Sequence, residues 1–192
     1  MTSIVIAEDE AIIRLDLREL LEEEGYVVVG EAGRGDLAVT LVRELKPDVV
    51  ILDVKMPGLD GIEAARQITA EGICAILMLT AFSQREIVAQ ARDAGAMAYL
   101  VKPFQKTDLV PAIELATSRY AETKALVAEV GELQERLEAR KVLDRAKGLL
   151  IDQHGMKEAA AFSFIQQTAM AGRLTMRSVA ESVLKGETVP NS

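Results

Sequence analysis

Five short runs of apolar and β-branched residues, each followed by a stretch with helical spacing, constrain this chain more than anything else in its sequence. The runs fall at residues 3–7, 26–30, 49–53, 75–80 and 97–101. None alternates apolar with polar residues, so each strand is expected to be buried on both faces. The stretches between them read as helices at 11–24, closed by Gly25; at 36–45, stopped by Lys46 and Pro47; at 62–70; and at 84–94, closed by Gly95. Strands of this kind, joined through helices, predict an α/β fold: a five-stranded parallel sheet with helices packed on both faces.

Beyond Pro103 the strand signals stop. Thr107 or Asp108 is expected to cap a helix running to about Arg140, with Pro111 in its first turn, where a missing N–H does no harm. Within that helix Leu126, Val130, Leu133 and Leu137 follow a 4-3-4 spacing flanked by charged residues, a short coiled-coil-like seam. Spanning less than two heptads and containing Gly131, the seam fits equally a pairing of two chains and a connector packed on its own chain. Gly155 and Gly172 then divide the remainder into three helices, at 141–154, 157–171 and 175–184, with Thr175 as a cap. Short amphipathic helices bury their faces only against one another, so a small bundle is expected, followed by a frayed tail at 185–192. The expected division is a first domain over residues 1–120, a connector helix over 106–140 and a small helical domain over 141–188.

Apolar residues make up 49% of the 192 and charged residues 27%, enough for packed cores in two units. The longest nearly apolar stretch, 73–82, is far short of the about 20 residues that cross a bilayer. No basic segment followed by an apolar core marks the N-terminus as a secretory signal. A cytoplasmic protein with no membrane partner is expected, and the lone Cys74, in an apolar run, reads as a buried small hydrophobe. The net charge of −8 is uneven: residues 1–105 carry −8, residues 106–138 carry −3 and residues 139–192 carry +3. The C-terminal end thus permits an anionic partner.

Polar residues gather where the strands end. Glu8 and Asp9 follow the first, Asp53 closes the third, Thr80 ends the fourth and Lys102 follows the fifth. In a parallel sheet these ends share one edge, where open α/β sheets place their ligand sites. Three carboxylates brought together oppose one another's ionisation, and a hard divalent cation such as Mg²⁺, with Lys102 as a second positive charge, relieves this. Glu10 is expected only to cap the next helix, favoured by its dipole.

The segments IVIAEDE, VVILDVKMPGLDG, ILMLTA and AYLVKPF resemble the receiver domain of bacterial response regulators, over about residues 1–120. The resemblance implies a doubly wound fold with strand order 2-1-3-4-5. It implies that Asp53 takes a phosphoryl group from the phosphohistidine of a sensor histidine kinase. Asp9, Asp53 and the backbone carbonyl of Lys55 would hold Mg²⁺, with Glu8 acting through water. Lys102 would pair with the phosphoryl oxygens and Thr80 would hydrogen-bond to them, while Tyr99 changes rotamer as Thr80 moves inward. A cis bond would precede Pro103. The family's usual acidic pair is Asp-Asp, and here it is Glu8-Asp9. The resemblance implies a regulator and not an enzyme, with catalysis limited to its own phosphorylation and dephosphorylation.

Residues 137–184 are similar to the ANTAR domain, an RNA-binding family of transcription antitermination. The matching core is Ala146, Lys147, Gly148, Leu149 and Leu150, then Ala161, Phe162, Ala169, Met170, Arg173, Val179 and Ala180. For an RNA hairpin the candidate surface is Lys141, Arg145, Lys147, Arg173 and Arg177, with Arg140 beside them. Phe162 and Phe164 read as core residues rather than stacking platforms, and His154, the single histidine, as a complement to a helix dipole. The whole reads as a phosphorylation-switched RNA-binding regulator, with a homodimer formed on phosphorylation as one shape of the switch. A DNA-binding transcription factor and a phosphorylation-dependent protein-interaction module are the alternatives.

Overall fold

A computed structural model describes residues 1–81 and 85–190; the expected helix start at Gln84 and the last two residues of the expected tail lie outside them. The chain divides into two compact units, Met1–Ala125 and Leu126–Ser192. The first unit alternates strand and helix: β1 (Ser3–Ala7), α1 (Ala11–Glu23), β2 (Val27–Ala32), α2 (Gly35–Leu45), β3 (Val49–Asp53), α3 (Gly61–Glu71), β4 (Ala75–Thr80), α4 (Arg85–Asp93) and β5 (Ala98–Val101). All strand pairs are parallel, in the order β2-β1-β3-β4-β5.

The alternation of side chains along β1, β3 and β4 explains why these runs look uniformly apolar, whereas β2 and β5, at the sheet edges, expose Val27, Val29 and Tyr99 and are not buried on both faces as expected. Val5, Ala7, Val50, Leu52, Ile76 and Met78 face one layer, closed by Val39 and Val42 of α2 and Ala65 and Ile68 of α3. Ile4, Ile6, Val49, Ile51, Leu77 and Leu79 face the other, closed by Leu17 and Leu21 of α1 and by Leu109 and Ile113. Burying both faces demands apolar residues at every position, which is the doubly wound arrangement. Because the strand order reverses at β1, a crevice opens beyond the carboxyl ends of β1 and β3.

The last three helices are α5 (Lys106–His154), α6 (Glu158–Gly172) and α7 (Met176–Leu184). The helix end expected near residue 140 is absent: α5 runs unbroken to His154, and 141–154 is its last part. No proline or further glycine lies between Gly131 and Gly148, and the ion pairs Glu138–Lys141 and Arg140–Asp144 staple the supposed junction. The start also differs. Thr107 and Asp108 lie inside the first turn; Asp108 accepts the Gln105 backbone N–H at 3.0 Å, and Pro111 falls in the second turn. Thr175 does cap α7, its hydroxyl accepting the Ser178 N–H at 3.1 Å. Leu150, Ile165, Val179 and Val183 centre the core of the second unit. No helix among the described residues is long and apolar enough to cross a membrane.

Candidate functional site

The strand ends bring Glu8, Asp53, Thr80 and Lys102 together as the spacing predicts. Lys102 Nζ lies 2.5 Å from Glu8 Oε2 and 3.0 Å from Asp53 Oδ1. Glu8, Asp9 and Asp53 each offer a carboxylate oxygen within 4.8 Å of the others. Glu8 is 0% exposed, Asp53 and Thr80 are buried, and Asp9 is open to solvent. Asp9, Asp53, Lys55, Thr80 and Lys102 line a cleft of about 380 Å³. The Lys102 N–H donates to the Thr80 carbonyl at 2.8 Å, and the Lys102–Pro103 peptide is cis.

Two carboxylates here share one ammonium. Burial pushes Glu8 and Asp53 above their ordinary values, and the Lys102 ammonium offsets this only in part. Burial also pulls Lys102 down, but its contacts with the two carboxylates outweigh that and hold it above its ordinary value. Glu8 Oε2 is paired with Lys102 by charge, yet the approach lacks the geometry of a hydrogen bond, so this buried oxygen keeps spare acceptor capacity. A backbone hydrogen bond from Lys55 also reaches Asp53.

Three residues that build the site, Gly61, Asp60 and Arg14, carried no signal in the strand pattern. A Cβ on Gly61 would stand 1.9 Å from the Asp53 carbonyl oxygen, so the first turn of α3 lies directly against the backbone of Asp53. That turn is held by Asp60, whose side chain accepts the Glu63 N–H at 2.8 Å, and by the Gly61 N–H on the Val54 carbonyl at 2.9 Å. Arg14 of α1 donates to the Glu8 carbonyl and pairs with Glu31, fixing the turn that carries Glu8. Glu10 occupies the position before α1, but its side chain makes no capping hydrogen bond. Tyr99 of β5 is 52% exposed and points out of the core.

Residues 4–114 match the response regulator receiver domain and residues 131–184 match the ANTAR domain. The chain belongs to the response regulators. Its receiver domain is followed by an ANTAR output domain. It is 61% identical over 182 residues to the transcriptional regulatory protein PdtaR of Mycobacterium tuberculosis, covering 95% of this chain and 89% of that one. The chemotaxis protein CheY of Thermotoga maritima is 38% identical over 111 residues, 57% of this chain and 92% of CheY. Among solved structures, the receiver domain of the putative response regulator NarL from Mycobacterium tuberculosis superposes with a TM-score of 0.59 at 31% identity, covering 61% of this chain and 96% of NarL's receiver.

In the ANTAR domain the basic residues singled out from the sequence are not equivalent. Lys147 is mostly buried between Asp144 at 2.9 Å and Glu158 at 3.1 Å, where it ties α5 to α6. Lys141 pairs with Glu138 at 2.8 Å, Arg177 with Glu181 at 2.9 Å and Arg140 with Asp144 at 3.9 Å. Arg145 and Arg173 are exposed and make no side-chain ion pair among the described residues. Arg173 ends α6 in the left-handed region, at φ 52°. His154 ends α5 and is exposed. Phe164 packs on the core as expected, but Phe162 is 40% exposed: it stands at the edge of the face that buries Ala161, Ile165 and Ala169, and the expectation of burial fails there.

Proposed function

We infer that this response regulator is phosphorylated on Asp53 by a partner histidine kinase, and that phosphorylation controls RNA binding by its ANTAR domain in transcription antitermination. The observation that carries the first half is Asp53 itself, at the carboxyl end of β3, 3.0 Å from Lys102 and within reach of two further carboxylates. The Asp53 carboxylate attacks the phosphorus of the kinase phosphohistidine; the P–N bond breaks, imidazole leaves and a mixed anhydride forms. Lys102 moves from the carboxylates to the phosphoryl oxygens, Thr80 donates its hydroxyl to them, and Tyr99 turns inward. Beside Lys102 a second cleft of about 560 Å³, lined by Ile13, Leu20 and Phe104 with Asp16, Glu19 and Glu23 around it, suits a kinase helix with apolar and basic residues.

The donor set fits Mg²⁺. It consists of hard oxygens, one of them on the fully buried Glu8 with acceptor capacity to spare, and solvent-facing Asp9 leaves room for retained waters. Asp9, Asp53 and the Lys55 carbonyl would hold the ion, with Glu8 through water, and it would neutralise charge on the transferred group.

The second half rests on the ANTAR match and on the +3 charge of residues 139–192 in an otherwise acidic chain. Leu126, Val130, Leu133 and Leu137 are each more than half exposed, which supports pairing of two chains along this seam as part of the switch. The test is phosphotransfer from a labelled kinase or a small acyl phosphate, followed by titration with hairpin and duplex nucleic acids. Labelling of wild type but not of Asp53→Asn, and tighter binding of hairpin RNA than of duplex DNA after labelling, is expected. Equal binding of both nucleic acids at fixed salt argues for a DNA-binding factor instead.

A further inference from the structure

Charged side chains make up 27% of the sequence, yet residues 159–172, nearly the whole of α6, contain none. One side of the helix is accounted for by the core, through Ala161, Ile165 and Ala169. The rest of the surface presents Ala159, Ser163, Gln166, Gln167 and Met170, with Phe162 at the edge of the core face, all exposed. Spacings of four align Phe162, Gln166 and Met170 in one row, and Met170 is 74% exposed. A helix face turned only to water normally carries charge, so large apolar side chains and amides there mark a contact surface.

The two ends of this helix carry cations. Lys157 stands at the N-cap of α6 and Arg173 at its C-cap, and neither makes a side-chain ion pair or hydrogen bond among the described residues. Lys141, Lys147 and Arg177 are by contrast already neutralised by Glu138, by Asp144 and Glu158, and by Glu181. At 1.5 Å per residue, Lys157 and Arg173 stand about 24 Å apart, a span of several nucleotides.

We propose that the outer face of α6 receives unstacked bases of an RNA hairpin loop. Phe162 and Met170 form the surface on which bases lie, Gln166 and Gln167 serve their edges, and Lys157 and Arg173 contact phosphates at the two ends. The proposal rests on the reading that the ANTAR domain binds RNA, and it says where. Loop recognition uses splayed bases against aromatic side chains and hydrogen bonds to their edges, and an amide offers donor and acceptor together. Cations without a carboxylate partner at both helix ends complement phosphates, so the composition favours nucleic acid.

The test uses the full chain and hairpins selected on it from a library with randomised loops, read by anisotropy at fixed salt. Phe162→Ala and Met170→Glu should weaken binding about tenfold, whereas Phe162→Tyr, which keeps a ring, stays within about twofold. Gln166→Ala should change which loop sequences are preferred. Lys157→Ala and Arg173→Ala should weaken all hairpins alike and each reduce the salt slope by about one counterion. Arg66→Ala, on the receiver, serves as the unaffected control. Circular dichroism melts that match wild type confirm that the variants fold. Wild-type affinity in the Phe162, Gln166 and Met170 variants overturns the proposal while leaving RNA binding in place. A change in oligomeric state by Met170→Glu with RNA affinity intact makes the face a protein contact and overturns it too. If no hairpin is selected over the starting library, the RNA reading itself falls, and this face with it.

Discussion

Lys102 compensates two buried carboxylates at once, and that imbalance sets how Asp53 titrates in the metal-free protein. A carboxylate whose pKa is raised by folding destabilises the fold above that raised value, and the penalty vanishes once pH falls below its ordinary value, 3.8 for Asp53 and 4.5 for Glu8. Asp53→Asn should therefore stabilise the metal-free protein at neutral pH, by on the order of 1 kcal/mol, with the gain shrinking as pH drops toward 4. Thermal melts across pH check this, and a loss of stability at neutral pH would remove the charge argument. Mg²⁺ should do for the wild type what the amide does for the variant: at about a hundred times Kd it adds about 2.7 kcal/mol, a gain that Asp9→Ala should largely forfeit. Gly61→Ala should destabilise by about 1–3 kcal/mol and slow phosphorylation of Asp53, because the new Cβ meets the Asp53 carbonyl and the backbone must move. Asp53, Glu8, Asp9, Thr80 and Lys102 were legible because each ends or follows a strand. Gly61 was not, since its contact partner lies eight residues back along a returning chain.

At the scale of elements, α5 is where sequence reasoning and structure diverge most. The two glycines inside it have open space where a Cβ would stand, so Gly131→Ala and Gly148→Ala should each stabilise the helix by about 0.5–1 kcal/mol, readable as a higher denaturant midpoint. The seam on this helix also has a preferred direction of pairing. With Leu126 and Leu133 at d positions and Val130 and Leu137 at a positions, a parallel pair brings Arg136 beside the partner's Lys141. An antiparallel pair instead sets Glu129 against the partner's Arg136, twice by symmetry. Phosphorylated protein should therefore dimerise in sedimentation experiments, Arg136→Glu should weaken the dimer, and adding Glu129→Arg should recover it. A phosphorylated chain that stays monomeric at every concentration rules the seam out as an interface.

Across the whole molecule, charge separates the two domains: −8 over residues 1–105 against +3 over residues 139–192. An acidic receiver repels RNA, so a state that keeps it away from bound RNA, or that pairs two basic ends, favours binding. Phosphorylation should strengthen hairpin binding by about tenfold, within the usual range of coupling between sites, and Asp53→Asn should show no response to phosphodonor. Anisotropy titrations with and without phosphodonor measure it, and equal affinities in the two states would uncouple receiver from output.

What belonged to local order could be read from the chain in one dimension. The number of strands, the burial of the three central ones on both faces and the chemistry at their ends follow from side-chain periods and from residues adjacent in sequence, as in Val49–Asp53; that β2 and β5 are partly exposed edges follows from the strand order alone. Pairings between distant residues could not. Lys147 read as a free cation until α6 placed Glu158 against it, and Phe162 read as core until packing through Ala161, Ile165 and Ala169 left it at the exposed edge. Burial and ion pairing depend on which atoms of other elements come within a few ångströms, and a helical pattern of small and apolar residues such as α6 leaves more than one face available to the core. Folding chose the alanine and isoleucine face, and the free cations at its ends acquired their meaning from that choice.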